Sequence, residues 1–396
     1  MKYILSSTAL LLVLPLLIFS LMGDFIAYTA PADSIAQPTL QETQAPHIYP
    51  APTLSLSAKH AVLITANGDV VYAKNAYEKA EMASTTKIMT ALLTAEYLEK
   101  HSYAVTTTVT SRAQGVEGSS VYLEEGETVR VLDLLYALLL ASANDAAVAL
   151  AEAVGGTVQD FVALMNEKSR SLALDNTNFQ NPHGLPSEEH YTTAYSLARL
   201  MAYAMKNPLF ARVSATTRYT MQTDRATRHI VNHNRLLTSY DGTLGGKTGF
   251  TKRAGRCLVT AAEREGVRLF AVTLSAPDDW NDHKTLFDYG FSAIEAVTVP
   301  AERYVLSVIN GKSEADEKAD LVAVSDPIVL MLPKTRGKLT LSRELPRFVY
   351  APIAKGDPVG RIVVLLDGTP IAETPLYAEA AKEAQEKPSI WERLFS

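Results

Sequence analysis

Three short polar clusters stand in a fixed order along the chain: Ser84-Thr85-Thr86-Lys87, then Ser142-Ala143-Asn144, then Lys247-Thr248-Gly249. Serine and lysine three residues apart on a helix project from one face about one turn apart, so the Ser84 hydroxyl and the Lys87 amine can meet. A serine hydroxyl is too weakly acidic to attack a carbonyl at neutral pH. A lysine desolvated among Ile88, Met89 and Leu92 has a lowered pKa and can take that proton, which makes a nucleophile pair. By itself the tetrad is equally a helix N-cap followed by a solvated lysine, and Ser-x-x-Lys should occur by chance about once in a chain of this length. The ordered set carries the argument.

Ser142 and Asn144 follow the apolar run Leu134 to Ala141 and precede Asp145-Ala146-Ala147, so both are expected to be buried and to need partners. Lys87 and a substrate are the expected partners, the hydroxyl relaying a proton to a leaving amine and the amide binding a substrate carbonyl and steadying the lysine. The plainer alternative is that the two residues cap successive helices. Lys247 and Thr248 follow Gly245-Gly246 and enter a strand at the edge of a cleft, where a cation and a hydroxyl suit a carboxylate. Gly249 leaves room for a substrate laid antiparallel along that strand. The backbone N–H groups of Ser84 and Phe250 are the expected oxyanion donors, a device typically worth about 10²- to 10³-fold in rate.

These residues need a frame. A strand pattern from Ala61 to Thr65 turns at Asn67-Gly68 and resumes at Val70 to Ala73, a hairpin signal. Helical patterns follow at Ser84 to Lys100, Val131 to Val154, Val158 to Leu172 and Thr193 to Lys206. After Asn207 the chain is expected to return to strands, at Tyr219 to Gln222, Gly255 to Glu263 and Arg268 to Ser275, with a last helix from Asp279 to Phe291. The order predicts an antiparallel sheet packed with a helical cluster, the chain ends of the domain sharing one sheet. Beyond about Ala296 the texture changes to short β runs, Val305 to Val308, Leu321 to Val324, Val329 to Leu332, Leu339 to Leu341 and Ile362 to Leu366, which predict a small all-β domain.

Composition excludes several classes. Lys plus Arg number 37 against 43 Asp plus Glu, a net charge of -6, so no nucleic-acid partner is expected. The single Cys257 excludes an internal disulfide and a Cys-based zinc site, and its setting reads as a buried strand thiol. The eight histidines show no His-Glu-x-x-His spacing. His183 sits in a loop that it is expected to order, and Ile230-Val231 between His229 and His233 looks like strand. Neither a metal nor a cofactor is expected. At the N-terminus Lys2 precedes an apolar run from Tyr3 to Gly23, interrupted by Ser6, Ser7, Thr8 and Ser20. This is an export signal, cleaved near Ala30 or Ala36 or retained as a membrane anchor. Either fate places the rest of the chain outside the cytoplasmic membrane.

With Met82 to Thr90, Thr177 to Leu185 and Ala276 to His283 added to the three clusters, the sequence resembles the low-molecular-mass penicillin-binding proteins of the D-alanyl-D-alanine carboxypeptidase type, the S11 serine peptidases, over residues 45 to 378. The resemblance implies an α/β transpeptidase-like domain, a C-terminal β-sandwich and often a C-terminal amphipathic helix on the membrane. It implies Ser84 as acylated nucleophile, Lys87 as base, Ser142 and Asn144 as second element, and Lys247 and Thr248 as carboxylate site. The implied partners are peptidoglycan pentapeptide as substrate and β-lactams as covalent inhibitors. Ala143 stands where Gly is common, Ser196 where Asp is expected, and Phe250 where Tyr or His is common.

The expected organisation is therefore signal or anchor 1–30, linker 31–57, catalytic domain 58–295, β-sandwich 296–378 and tail 379–396. Ile390, Trp391, Leu394 and Phe395 would line one side of a short tail helix, but four acids against three bases make it a weak membrane-surface element. A D,D-endopeptidase, a β-lactamase on the same scaffold and a non-catalytic wall-binding module are the rival functions. No Glu-x-x-Leu-Asn motif lies between Asn144 and Lys247 to deacylate as class A β-lactamases do.

Overall fold

The computed structural model describes residues 52–309, 318–334 and 336–384. The export segment, most of the linker, the Asn310-Gly311 pair, whose residue types predict a turn, and the tail beyond Ala384 lie outside the described residues.

The strands β1 (His60–Thr65) and β2 (Val70–Lys74) form the expected hairpin. All six residues of β1 are buried. Strict alternation is absent because this strand is covered on both faces, which favours a continuous apolar run. After a 3-10 turn over Ala83–Thr86 comes α1 (Lys87–Lys100), apolar on nearly every side and enclosed by its neighbours. A small pair, β3 (Thr106–Thr108) and β4 (Thr128–Arg130), precedes α2 (Val131–Leu140), α3 (Asn144–Gly155), α4 (Val158–Ser171) and α5 (Ala194–Ala204).

The single helix expected from Val131 to Val154 is two helices, broken at Ala141–Ala143. Ser142 adopts φ +60 and Ala143 is extended, at φ -60 and ψ 120. A serine in the left-handed region costs roughly 1–3 kcal/mol. Burial of Leu138, Leu139 and Leu140 against the core contributes about 1.5–3 kcal/mol each and outweighs it. No Gly or Pro marks the break, so periodicity runs through it.

The return to strands after Asn207 is also corrected: α6 (Pro208–Ala215) intervenes, with Pro208 in its first turn and the Asn207 side chain accepting the Phe210 N–H at 2.9 Å. Proline at a helix start behind an Asn cap is the local reason. The hairpin β5 (Arg218–Gln222) and β6 (Thr227–Val231) follows, then the short α7 (Leu236–Ser239) and the long strands β7 (Thr243–Thr251), β8 (Gly255–Arg264) and β9 (Val267–Leu274). The main sheet is antiparallel with strand order β2-β1-β9-β8-β7, so first and last strands do share it and β7 is an edge. The large core of α1 to α6 covers one face. α8 (Asp279–Ala293) covers the other through Leu286 and Phe287. Cys257 is a buried strand thiol, with no solvent exposure.

The all-β region starts earlier than 296, with β10 (Ile294–Val299), and contains β11 (Arg303–Ile309), β12 (Lys318–Ser325), β13 (Ile328–Pro333), β14 (Leu339–Glu344), β15 (Phe348–Tyr350), β16 (Pro358–Leu366) and β17 (Thr369–Ala378). Strands β10, β15 and β17 were not expected. A six-stranded sheet in the order β14-β16-β17-β12-β11-β15 packs on the β10–β13 pair through Val299, Leu330, Leu332 and Val364. The six residues after β17 contain no helix, and Lys382 bridges to Ile353.

Candidate active site

The 3-10 turn places Ser84 directly before α1, with Ala83 in the left-handed region at φ +46. The Lys87 amine is enclosed, at 0 % exposure, and donates to Ser84 Oγ at 3.0 Å, Asn144 Oδ1 at 2.6 Å and the His183 carbonyl at 2.6 Å. Burial holds Lys87 well below the usual lysine range, the positive charge of Lys247 lowers it further, and Asp145 pulls the other way. A neutral amine beside a serine hydroxyl can accept its proton.

Ser142 lies in the break between α2 and α3 and Asn144 opens α3, and they divide the partners expected for both. Asn144 meets Lys87. Ser142 meets Lys247 instead, accepting from its amine at 2.9 Å, while the same amine donates to the Thr248 carbonyl at 2.8 Å. Neither residue caps with its side chain: the cap residues are Arg130 for α2 and Ala143 for α3, with no side-chain bond. Lys247 is 1 % exposed, and burial pushes its pKa down to about 7. Thr248 is partly exposed beside it, and Phe250 lies open at 65 %.

Gly249 faces the nucleophile: a Cβ there would lie 3.1 Å from Ser84 N and 3.2 Å from Met82 O. The strand-lying substrate expected from Gly249 alone therefore has a closer structural counterpart, the approach of β7 to the turn that carries Ser84.

Several contributors carry no sequence signal of chemistry. Asn144 Nδ2 donates to the Glu117 carbonyl at 2.5 Å, and Gly118, at φ +96, has Asn144 Nδ2 within 2.7 Å of where a Cβ would sit. The buried Asp145 carboxylate accepts from Ser120 Oγ and from the N–H groups of Val121 and Leu123. This pins the loop on which Tyr122 stands 82 % exposed at φ +58. The loop Asn181–Leu185 supplies the His183 carbonyl, ordered by Asn181 Oδ1, which accepts the Gly184 N–H at 2.7 Å. His183 thus takes part through its backbone, and its imidazole is pushed down to about 3, by burial first and then by Lys87. Ser196, where Asp is expected, donates to the Asp175 carbonyl at 2.7 Å, a bond an ionised carboxylate cannot make.

Among the glycines of the site, Gly184 has the tightest constraint. At φ +92 its absent Cβ would fall 1.9 Å from the Ala83 carbonyl oxygen and 2.9 Å from Thr86 Oγ1. Gly184→Ala is expected to cost about 1–3 kcal/mol through overpacking and to slow acylation of Ser84 by more than its stability loss accounts for. Melting temperature and penicillin acylation rate, measured together, check this; an unchanged rate in the folded variant contradicts it.

A five-stranded antiparallel sheet between helical layers, with two serines, an asparagine and two buried lysines gathered beside its edge strand, is the architecture of the penicillin-recognising serine acyl-transferases. Residues 43–278 match the D-alanyl-D-alanine carboxypeptidase family, peptidase S11, and the chain belongs to it. Residues 304–384 match the C-terminal domain of penicillin-binding protein 5. Among relatives, the chain is 35 % identical over 343 residues to the D-alanyl-D-alanine carboxypeptidase DacF of Bacillus subtilis, covering 84 % of this chain and 87 % of that one. It is 34 % identical over 341 residues to DacC of Escherichia coli, covering 81 % and 83 %. Penicillin-binding protein 5 of Haemophilus influenzae has a similar structure, with TM-score 0.69, 27 % identity and coverage of 84 % and 99 %.

Proposed function

We propose that this chain is a serine D-Ala-D-Ala carboxypeptidase that removes the terminal D-alanine of peptidoglycan stem peptides through an acyl-enzyme on Ser84. The observation that carries the reading is the fully buried Lys87 amine, lowered in pKa, 3.0 Å from the Ser84 hydroxyl. Lys87 takes the Ser84 proton as Oγ attacks the penultimate D-Ala carbonyl. The oxyanion lies between the N–H groups of Ser84 and Phe250. Ser142, held by Lys247, gives its hydroxyl proton to the leaving amine as the C–N bond breaks and is restored by the proton that Lys87 took; water then attacks the ester carbonyl, gives a proton back to Ser84 Oγ through Lys87, and releases the acyl group. Lys247 and Thr248 hold the terminal carboxylate, whose charge favours the protonated form of Lys247. β-Lactams acylate Ser84 as substrate mimics.

The stem peptide belongs to the wall, so the site operates outside the cytoplasmic membrane, delivered by the N-terminal export segment. The organisation that fits is a leader or anchor at 1–30, a linker at 31–57, a catalytic domain followed by the β-sandwich, and a tail that touches the membrane surface peripherally.

Release of D-alanine from diacetyl-Lys-D-Ala-D-Ala, together with a penicillin adduct seen by intact mass, tests the reading. An adduct without release favours an endopeptidase, release of hydrolysed penicillin at high turnover a β-lactamase, and neither product a wall-binding module.

The two lysines also set a pH dependence. Attack needs Lys87 neutral, so kcat/KM is expected to rise with pH through its lowered pKa. Carboxylate binding needs Lys247 charged, so kcat/KM is expected to fall as pH passes about 7 and that proton leaves. Because the amines repel, the two limbs belong to the pair. A rate that climbs through neutral pH without falling removes Lys247 from the carboxylate role.

A further inference from the structure

His190 is buried at 3 % exposure, lies outside the three polar clusters, and touches neither Ser84 nor Lys87 by any bond described above. Its two ring nitrogens nevertheless lead to both. Nδ1 accepts the Gln180 N–H at 2.9 Å, which fixes the neutral ring with its proton on Nε2. Nε2 then donates to Thr86 Oγ1 at 2.7 Å, and Thr86 Oγ1 donates onward to the Ala83 carbonyl at 2.8 Å. Each ring nitrogen has one role, and the Thr86 hydroxyl, whose single proton goes to the Ala83 carbonyl, can only accept from Nε2, so the direction is unambiguous.

The two ends of the relay are sensitive positions. Ala83 is the left-handed residue immediately before the nucleophile, a conformation that persists only where surrounding contacts hold it. Gln180 begins the segment whose His183 carbonyl accepts from the Lys87 amine and whose Pro182 carbonyl accepts from Thr90 on α1 at 2.6 Å. One ring therefore ties the turn that carries the serine to the loop that holds the lysine. Phe179 packs edge-on against it, with centroids 6.0 Å apart, and keeps the ring from turning. Burial, followed by the charge of Lys87, pushes His190 down to about 4, in keeping with the neutral ring that its hydrogen bonds require.

We infer that His190 is a positioning residue for the Ser84–Lys87 pair, acting through Thr86 and the Ala83 carbonyl on the nucleophile and through Gln180 on the loop that carries the acceptor for Lys87. The inference rests on Ser84 being the acylated residue. It assigns His190 no proton transfer and no contact with substrate.

Acylation by a fluorescent penicillin, resolved into a noncovalent binding constant and an acylation rate constant per titrated site, tests it in wild type, His190→Ala, His190→Gln, Thr86→Val and the His190→Ala/Thr86→Val double variant. The acylation rate constant is expected to fall about tenfold or more in His190→Ala, within what a misplacement of under 1 Å produces, with binding unchanged. His190→Gln, whose amide nitrogen can replace Nε2 as donor to Thr86, recovers most of the loss. Thr86→Val in the His190→Ala background adds little, because the relay is already cut. Wild-type acylation rates in folded His190→Ala, or full additivity in the cycle, overturns the inference. Absence of any adduct on Ser84 in the wild type overturns the functional reading beneath it as well, so the two failures are distinguishable.

Discussion

Ser84→Ala is expected to give a folded protein that neither releases D-alanine nor carries a covalent penicillin. The methyl group leaves Lys87 its bonds to Asn144 Oδ1 and the His183 carbonyl, so the surrounding frame survives. What disappears is the hydroxyl that Lys87 bonds at 3.0 Å and that is proposed as the acyl carrier, and removing a nucleophile of this kind typically costs about 10⁶-fold in kcat. The stability change is expected to stay within about 0.5 kcal/mol, since Ser84 is only partly buried and removal relieves no strain at Ala83. Intact-mass spectrometry after penicillin treatment reads the adduct and calorimetry reads the fold. A penicillin adduct retained by the variant would falsify the assignment of Ser84.

Lys87→Gln separates the base from the scaffold. Glutamine can still donate to Asn144 Oδ1 or the His183 carbonyl, but its amide cannot accept the Ser84 proton at any ordinary pH. The acylation rate constant is expected to fall by about 10²- to 10⁴-fold, the range for a lost general base. The rising acid limb of the pH profile should go with it. The same substitution removes an amine that burial and the neighbouring Lys247 charge make unfavourable to protonate. Linkage follows from the sign of that shift. A lysine with a depressed folded pKa is protonated more readily in the unfolded chain, so it costs the wild type stability at and below neutral pH, and that cost fades as pH rises towards the unfolded value of about 10.4. Lys87→Gln is therefore expected to be as stable as wild type or more so near pH 7, with a flatter rise in stability towards alkaline pH, measured by urea unfolding at several pH values. Loss of stability together with a retained acid limb would place the base elsewhere.

The polar clusters were legible because each is locally odd. A lysine amid Ile88, Met89 and Leu92 has nowhere wet to go, and Ser142 and Asn144 stand in a stretch too apolar to be surface. The order of strands and helices, the main sheet and the small β region were legible from periodicity and from turns such as Asn67-Gly68. The break at Ala141–Ala143 was not, because its left-handed serine is stabilised by burial on either side and leaves no Gly or Pro behind. The helix at Pro208 has a readable cap in Asn207 and proline behind it, but at eight residues it is too short for its period to stand out against the strand patterns that follow.

Residue types by themselves determined which groups can do acyl chemistry: two serine hydroxyls, two amines and an amide, in an order along the chain. Only the tertiary structure decided which of them meet. Lys87 pairs with Asn144 across 57 positions and with the His183 carbonyl across 96, and Lys247 pairs with Ser142 across 105. Backbone carbonyls such as those of Ala83, Glu117 and His183 are present at every residue and carry no mark in a sequence. They become partners only when a fold buries them against a donor that has no water to turn to, and in this protein that burial also lowers the pKa of both lysines.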